Sequence, residues 1–351
     1  MWSDPEVETV LPGVHRIPLP LPGDALAAIN VYALEHPDGV TMVDSGWHGD
    51  RSLRALVAGL AQVGLHLDDL REVLVTHVHG DHIGQTAHLR SAHDVPFALG
   101  RDERVALSVA RGGIPAFEAD RYAFLQRLGA DELLEELRTA DPLHGVPWEV
   151  PDRWLDDGDR LELPGGVFDA IATPGHTRGH VCFHDAARGV FLVGDHVLPH
   201  ITPSVGFEPS PTPTALADYL ASLARVRSLP ATLVLPAHGS VFDDLAGRVD
   251  ELLAHHDRRL DHTEALLGVT ARSAYEVAQG LRWRRREIPF DQLGVGDRML
   301  ATWETAAHLE VLVAQGRAQR QRGKYLALAG GSSTRGVVDL VPSPTGAGGG
   351  P

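Results

Sequence analysis

The chain has almost no cysteine and almost no lysine. Its 351 residues include one cysteine, Cys182, and one lysine, Lys324. A lone thiol cannot close an internal disulfide, so nothing in the sequence calls for an oxidising compartment. Cys182 sits in the strand-like apolar run Val181-Cys182-Phe183, which predicts a buried, inert thiol. No stretch approaches the ~18 or more consecutive apolar residues of a membrane-spanning helix. The start, Met1-Trp2-Ser3-Asp4-Pro5-Glu6, is acidic and lacks a basic segment leading into an apolar one. These absences predict a cytoplasmic protein with no membrane partner.

The charge is strongly acidic and unevenly spread. The formal net charge is −16, yet residues 263–340 hold eleven Lys+Arg against eight Asp+Glu, a balance of +3. The remainder carries −19, which disfavours nucleic acid on the main body and leaves the C-terminal part as its one candidate surface. A hydrophobic content of 43% and a charged content of 22% suit a globular protein with an ample core. The length allows one large domain or two.

Short apolar runs bounded by turn residues read as strands at 13–17, 28–34, 39–43, 73–75, 161–163, 168–173, 180–184, 190–193 and 231–235. Helical periodicity marks 51–63, a segment from about Asp81 toward Arg90, several pieces over 101–140, then 214–227 and 244–267. Strands mixed with helices predict an α/β protein with helix-covered sheets. The insert at 101–140 and the proline-rich loop at 197–213 are candidate walls of a substrate pocket.

The densest chemistry follows Val73-Leu74-Val75, in Thr76-His77-Val78-His79-Gly80-Asp81-His82. Three imidazoles and a carboxylate within six residues, at a strand end, form a donor set suited to zinc or iron. Crowded together without a cation, they would repel or desolvate one another. Three further segments place such groups on glycine-containing turns after apolar runs: Thr173-Pro174-Gly175-His176-Thr177-Arg178-Gly179-His180, Val193-Gly194-Asp195-His196 and Leu235-Pro236-Ala237-His238-Gly239.

These four motifs, in this order, resemble the metallo-β-lactamase superfamily over roughly residues 10–255. The resemblance implies a four-layer αβ/βα sandwich with two divalent metal ions between the sheets. His77, His79 and His176 would hold the first ion; Asp81, His82 and His238 the second; Asp195 would bridge them. Asp44, at the end of the 39–43 strand, and His180 would orient these groups from behind. The resemblance favours zinc, while the same donors accept iron or manganese. An aspartate at position 195 is similar to the glyoxalase-like, ribonuclease-like and thioesterase-like branches and speaks against antibiotic hydrolysis. A hydroxide held between two ions would attack a carbonyl carbon or a phosphorus, with Asp81 orienting it or taking up a proton.

Other histidines are weighed less heavily. His196 is expected to point away from the cluster, and His255, His256 and His262 to lie on the surface of the long helix. His200 and Arg178 are candidates for substrate contact, with a solvated side chain and a surface ion pair as the respective alternatives.

After residue 268 helices are expected at 273–279 and 299–315, then a hairpin over 317–328 turning at Gly323. This order resembles a lactamase-associated winged-helix domain, whose branch includes a mitochondrial-type endoribonuclease and thioesterases of polyketide assembly. The predicted division is a catalytic domain at 1–262, a winged-helix-like domain at 263–340 and a disordered tail at 341–351. Arg282-Trp283-Arg284-Arg285-Arg286 is the one basic run, and Arg284 and Arg285 are candidate phosphate contacts.

The leading expectation is a dinuclear hydrolase of a small acyl ester or thioester of the acyl-CoA or carrier-protein type. The alternative is a metal-dependent endoribonuclease or phosphodiesterase that uses the winged helix. A non-enzymatic nucleic-acid-binding regulator is the third reading. A homodimer through the insert or the C-terminal domain is compatible with the sequence.

Overall fold

A computed structural model describes residues 6–22, 26–139, 146–163, 166–283 and 287–328. The arginines at 284–286 and the tail at 341–351 lie outside the described residues.

The first sheet begins with the meander β1 (Glu8–Leu11), β2 (Val14–Pro20), β3 (Ala28–His36) and β4 (Gly39–Val43). Then come α1 (Asp50–Gln62), β5 (Leu70–Val75), α2 (Gly80–Ile83), α3 (Thr86–His93) and β6 (Phe97–Gly100). The insert follows as α4 (Arg104–Arg111), α5 (Ile114–Arg127) and α6 (Asp131–Thr139), and β7 (Arg153–Leu155) closes the sheet. Its order is β1-β2-β3-β4-β5-β6-β7, antiparallel up to β4 and parallel beyond it. The second sheet holds β8 (Arg160–Leu163), β9 (Gly166–Ala172), β10 (Val181–Asp185) and β11 (Val190–Gly194). Helix α7 (Ala215–Val226) leads to its last strand, β12 (Leu233–Pro236), which runs parallel to β11.

Strand alternation explains why four layers form. In β5, Leu74 faces the second sheet with Tyr32, Phe168 and Phe183, while Val73 and Val75 turn the other way, toward Leu56 and Leu89 of α1 and α3. In the second sheet, Ile171, Cys182, Phe191 and Val193 face α7 and α8 (Leu245–Ala265) instead. Both sheets therefore bury both faces, and the helix–sheet–sheet–helix sandwich expected from the resemblance is present. Cys182 is fully buried, and burial pushes its thiol up to about 12, as an inert thiol requires.

Beyond α8 lie α9 (Ala274–Gly280), the short ladder of β13 (Arg282–Trp283) with β14 (Ile288–Pro289), and α10 (Val295–Ala314). The hairpin β15 (Ala318–Gln321) and β16 (Lys324–Ala327) turns through Arg322 and Gly323, both with positive φ. These elements pack on the sandwich: Leu309, Leu312 and Trp303 share one apolar cluster with Leu220, Leu252 and Leu125.

Three expectations change. The helix expected from Asp81 toward Arg90 is two helices. α2 ends at Gly84, where a Cβ would collide with the Gly80 and Gly46 carbonyls, and the Gln85 amide that follows bonds the Trp47 and Gly49 carbonyls. The short strands β6 and β7 had no visible periodicity. His256 is buried, not on the surface: its Nδ1 lies 3.1 Å from Nε2 of His308 where α8 meets α10. His262 is exposed as expected, and His255 is half-buried.

Candidate metal centre

The residues singled out at strand ends converge on one edge of the sandwich. β4, β5, β9, β11 and β12 all finish there, delivering Asp44, the His77–His82 segment, His176, Asp195 and His238. The loops are stitched across the sheets. Val181 N–H donates to the Thr76 carbonyl, and Ala237 N–H to the Gly194 carbonyl. The Asn30 amide holds the Pro236 and Gly239 carbonyls, and the Tyr32 hydroxyl donates to Pro236. Gly194 has φ near +50°, and a Cβ there would lie 2.7 Å from His180 Nε2, so no side chain is tolerated.

One half of the site is a triad of imidazoles. His77 Nε2, His79 Nδ1 and His176 Nε2 lie 2.9, 3.0 and 3.2 Å apart. The opposite nitrogens fix the tautomers. His176 Nδ1 donates to the Ser204 carbonyl at 2.6 Å, and His79 Nε2 donates to the Phe207 carbonyl. The Thr76 hydroxyl donates to Asp44 and so accepts from His77 Nδ1 at 3.0 Å. All three facing nitrogens therefore present lone pairs to one another. Burial and the neighbouring imidazoles keep His77 well below its ordinary value; burial and His176 lower His79 to about 3.

The other half mixes imidazoles with carboxylates. His238 Nε2 lies 3.4 Å from Asp81 Oδ2 and 3.4 Å from Asp195 Oδ1, and His82 Nε2 lies 3.7 Å from each. His238 Nδ1 donates to the Ala28 carbonyl, and His82 Nδ1 bonds Asp44 at 2.9 Å. Burial opposes a charge on His82, but Asp44, Asp81 and Asp195 outweigh it and push its pKa up to about 10. The same balance, with Asp195 foremost, raises His238. Burial also opposes charge on Asp81 and Asp195. The surrounding histidines win, led by His82 for Asp81 and by His238 for Asp195, and hold both carboxyls below their usual range.

Asp195 belongs to both halves, since its Oδ2 lies 3.5 Å from His176 Nε2 while its Oδ1 faces His82 and His238. His82 Nε2, His238 Nε2 and Asp195 Oδ1 are buried and have no hydrogen-bond partner among the described residues. Facing lone pairs in one half and orphaned buried polar atoms in the other are costly unless something positive completes them. Three sets of side chains could each surround one ion: His77/His79/His176, Asp81/His82/His238 and His77/His82/Asp195.

Asp44 lies behind this cluster, accepting from Thr76 N–H and hydroxyl while it aims His82. His180 accepts from Asp195 N–H at 3.1 Å and bonds the Thr173 hydroxyl at 2.8 Å. His196 points away and packs its ring on Tyr219. His200 is exposed and bonds Ser240. Arg178 is committed to the buried Glu208 carboxylate at 3.1 Å and to the Ser210 carbonyl.

Sequence reasoning missed Thr76, Glu103, Phe207 and Glu208. Glu103 is fully buried under both imidazole loops, accepting from the Thr177 hydroxyl and, at 3.4 Å, from Val78 N–H. Burial, then nearby Glu208, pushes its carboxyl up to about 8; burial pushes Glu208 to about 7 despite Arg178. Only Thr76, adjacent to His77, carried a signal in the sequence.

The family described as "Metallo-beta-lactamase superfamily" matches residues 25–238. The chain is 25% identical over 318 residues to "Probable metallo-hydrolase YqjP" of Bacillus subtilis (strain 168), spanning 86% of this chain and 91% of that one. It is 26% identical over 256 residues to "Atrochrysone carboxyl ACP thioesterase" of Aspergillus fumigatus, spanning 73% of this chain and 65% of that protein. Among solved structures, a metallo-β-lactamase family protein from Thermus thermophilus superposes with a TM-score of 0.75 at 29% identity, covering 91% of this chain and 100% of that one. A β-lactamase domain protein from Burkholderia ambifaria gives 0.74 at 28%, covering 92% and 94%.

Proposed function

The chain belongs to the metallo-β-lactamase superfamily, and from that premise we propose that it is a dinuclear metal-dependent hydrolase of a small acyl ester or thioester carried by coenzyme A or a carrier protein. In this reading His77, His79 and His176 hold one divalent ion, and Asp81, His82 and His238 hold the other. Zinc is favoured by the nitrogen and oxygen donors, which also accommodate iron or manganese. Ions held by these residues would supply an activated water and polarise the scissile carbonyl. The observation that carries the reading is the two-sided Asp195, with one oxygen toward each half.

The protein's own groups do the rest. Asp44 and His180 fix the rotamer of His82 and the backbone of Asp195. Asp81 is the most exposed of the three carboxylates, at 18%, and is the acceptor that would orient a water and take up its proton.

An acyl substrate is favoured over a phosphodiester by the acidic body and by the relative named as an acyl-carrier thioesterase. The C-terminal elements add to this. We assign residues 263–340 to a winged-helix-like unit that packs rather than reads nucleic acid. Its last helix, α10, buries residues on every side, including Thr302, Trp303, Thr305, His308, Leu309 and Leu312, which leaves little of it for a groove. Among the described residues no helix is long and apolar enough to cross a membrane.

The test is hydrolysis of a panel of acyl thioesters by the zinc-loaded protein, with Asp81→Ala as the matched control. Turnover lost in the variant supports the reading. No turnover with metal confirmed bound would contradict it and move the phosphodiester reading to the front.

A further inference from the structure

Two buried glutamates beneath the imidazole triad have no part in the proposed chemistry. Glu103 is fully buried, and Glu208 is 2% exposed. Glu103 lies hard against the 177–179 turn: a Cβ on Gly179 would stand 2.6 Å from Glu103 Cγ, so only glycine fits there. One Glu103 oxygen reaches both loops that carry the triad. It accepts from Val78 N–H, between His77 and His79, and from the Thr177 hydroxyl, beside His176. Its other oxygen is buried and has no partner among the described residues.

Glu208 grips the same loops from the other side. It accepts from Arg178 Nε at 3.1 Å and from Arg178 N–H at 3.4 Å, while Arg178 Nη2 donates to the Ser210 carbonyl. That grip anchors the end of the 204–208 stretch, which props two of the three imidazoles. The Ser204 carbonyl accepts from His176 Nδ1, the Phe207 carbonyl accepts from His79 Nε2, and Gly206 N–H donates to the Gly175 carbonyl at 2.9 Å. His238, in the other half of the cluster, is propped instead by the Ala28 carbonyl of β3. Two carboxyls here meet one guanidinium. A proton on Glu103, whose carboxyl burial and Glu208 push up to about 8, balances the group, so glutamine is its nearest stand-in.

We propose that Glu103, Arg178 and Glu208 form one positioning clasp, which fixes the spacing and tautomers of His79 and His176 and thereby sets the affinity of one ion site and not the other. The proposal rests on the two-ion reading and deepens it. None of the three belongs to a set of side chains that could surround an ion, so they act through the loops they hold.

NMR of the full metal-free chain, with nitrogen-labelled histidine, reads the clasp without turnover. The His79 Nε2–H and His176 Nδ1–H protons are expected to exchange slowly with water, with His238 Nδ1–H as the internal reference. Glu103→Ala or Glu208→Ala should speed exchange at His79 and His176 at least ~10-fold and leave His238 within ~2-fold. Glu103→Gln, which keeps an oxygen for Val78 and Thr177, should restore the wild-type rates. With zinc alone as the probe, chelator competition on the alanine variants should show one of two ions weakened about 10–100-fold and the other much less. Should the alanine variants not fold, Thr177→Val, which keeps the volume and removes a donor to Glu103, takes their place with the same expected pattern. Unchanged exchange in a folded variant, equal acceleration at all three protons, equal weakening of both ions, or no rescue by Glu103→Gln overturns the proposal. Selective acceleration at His79 and His176 in a chain that binds a single zinc keeps the clasp and overturns the two-ion reading alone.

Discussion

Around His77, His79 and His176, three imidazole nitrogens face one another within 3.2 Å, and the carboxylate nearest His176 is a single oxygen of Asp195 at 3.5 Å. Around His82 and His238, by contrast, Asp44, Asp81 and Asp195 crowd two imidazoles. The first half is thus a set of neutral donors whose protons have already been expelled. The second sets carboxylates against imidazoles, which favours positive charge there. One fold edge carries two clusters of side chains that differ in charge, joined by Asp195.

That contrast can be broken most severely at the joint. Asp195→Ala removes an oxygen from each half, and hydrolysis should fall by more than the ~10–100-fold typical of an outer-shell partner. Activity within a few-fold of wild type, measured with metal in excess, would show that the bridge is dispensable.

A narrower change tests whether the halves are separable. Asp44→Asn acts directly on the second half, through His82, and reaches the first only through the Thr76 hydroxyl that bonds His77. It should weaken one of two ions by about 10–100-fold in a chelator competition and the other much less. Equal weakening of both would mean that the halves act as one.

Proton counting sharpens the comparison further. His82, pushed up to about 10, carries a proton at neutral pH before metal enters, and the carboxylates raise His238 as well, whereas His79, lowered to about 3, carries none. Calorimetry in buffers of different ionisation enthalpy should find proton release with only one of two binding events. That event should tighten as pH rises from 6 to 8, while the other stays flat. Proton release shared evenly between the events would contradict the assignment.

The smallest effect concerns the support beneath the imidazole triad. Glu103, with a folded pKa of about 8, keeps a proton that the unfolded chain loses near the ordinary glutamate value. Stability of the metal-free protein should therefore fall as pH rises between about 5 and 8, by at most ~1.4 kcal/mol per pH unit from this group. Denaturant midpoints of Glu103→Gln across that range should show a flatter slope than wild type, and parallel slopes would count against the buried-carboxyl account.

The seven side chains that converge were all visible in the sequence, because each sits on a short turn after an apolar run. The pattern of strands and helices predicted helix-covered sheets, and the four layers were implied by the family resemblance of the turns. The tautomer-fixing partners were not visible. They are the carbonyls of Ala28, Ser204 and Phe207, and a carbonyl carries no residue identity in a sequence. Glu103 hid within the charged run Arg101-Asp102-Glu103-Arg104 at the start of the helical insert, where only tertiary packing buries it. His256 was misjudged for a related reason: the partner that buries it, His308, lies 52 residues further along, on another helix. Arg178 was legible as a cation near the site, but nothing in the sequence disclosed that Glu208 occupies it.

The central claim is two separable ion sites sharing Asp195, and metal content measured on wild type, His176→Ala and His238→Ala after equilibration with limiting free zinc tests it most directly. The account predicts two ions per chain in the wild type and one in each variant. One ion in the wild type, or two retained in both variants, would contradict it.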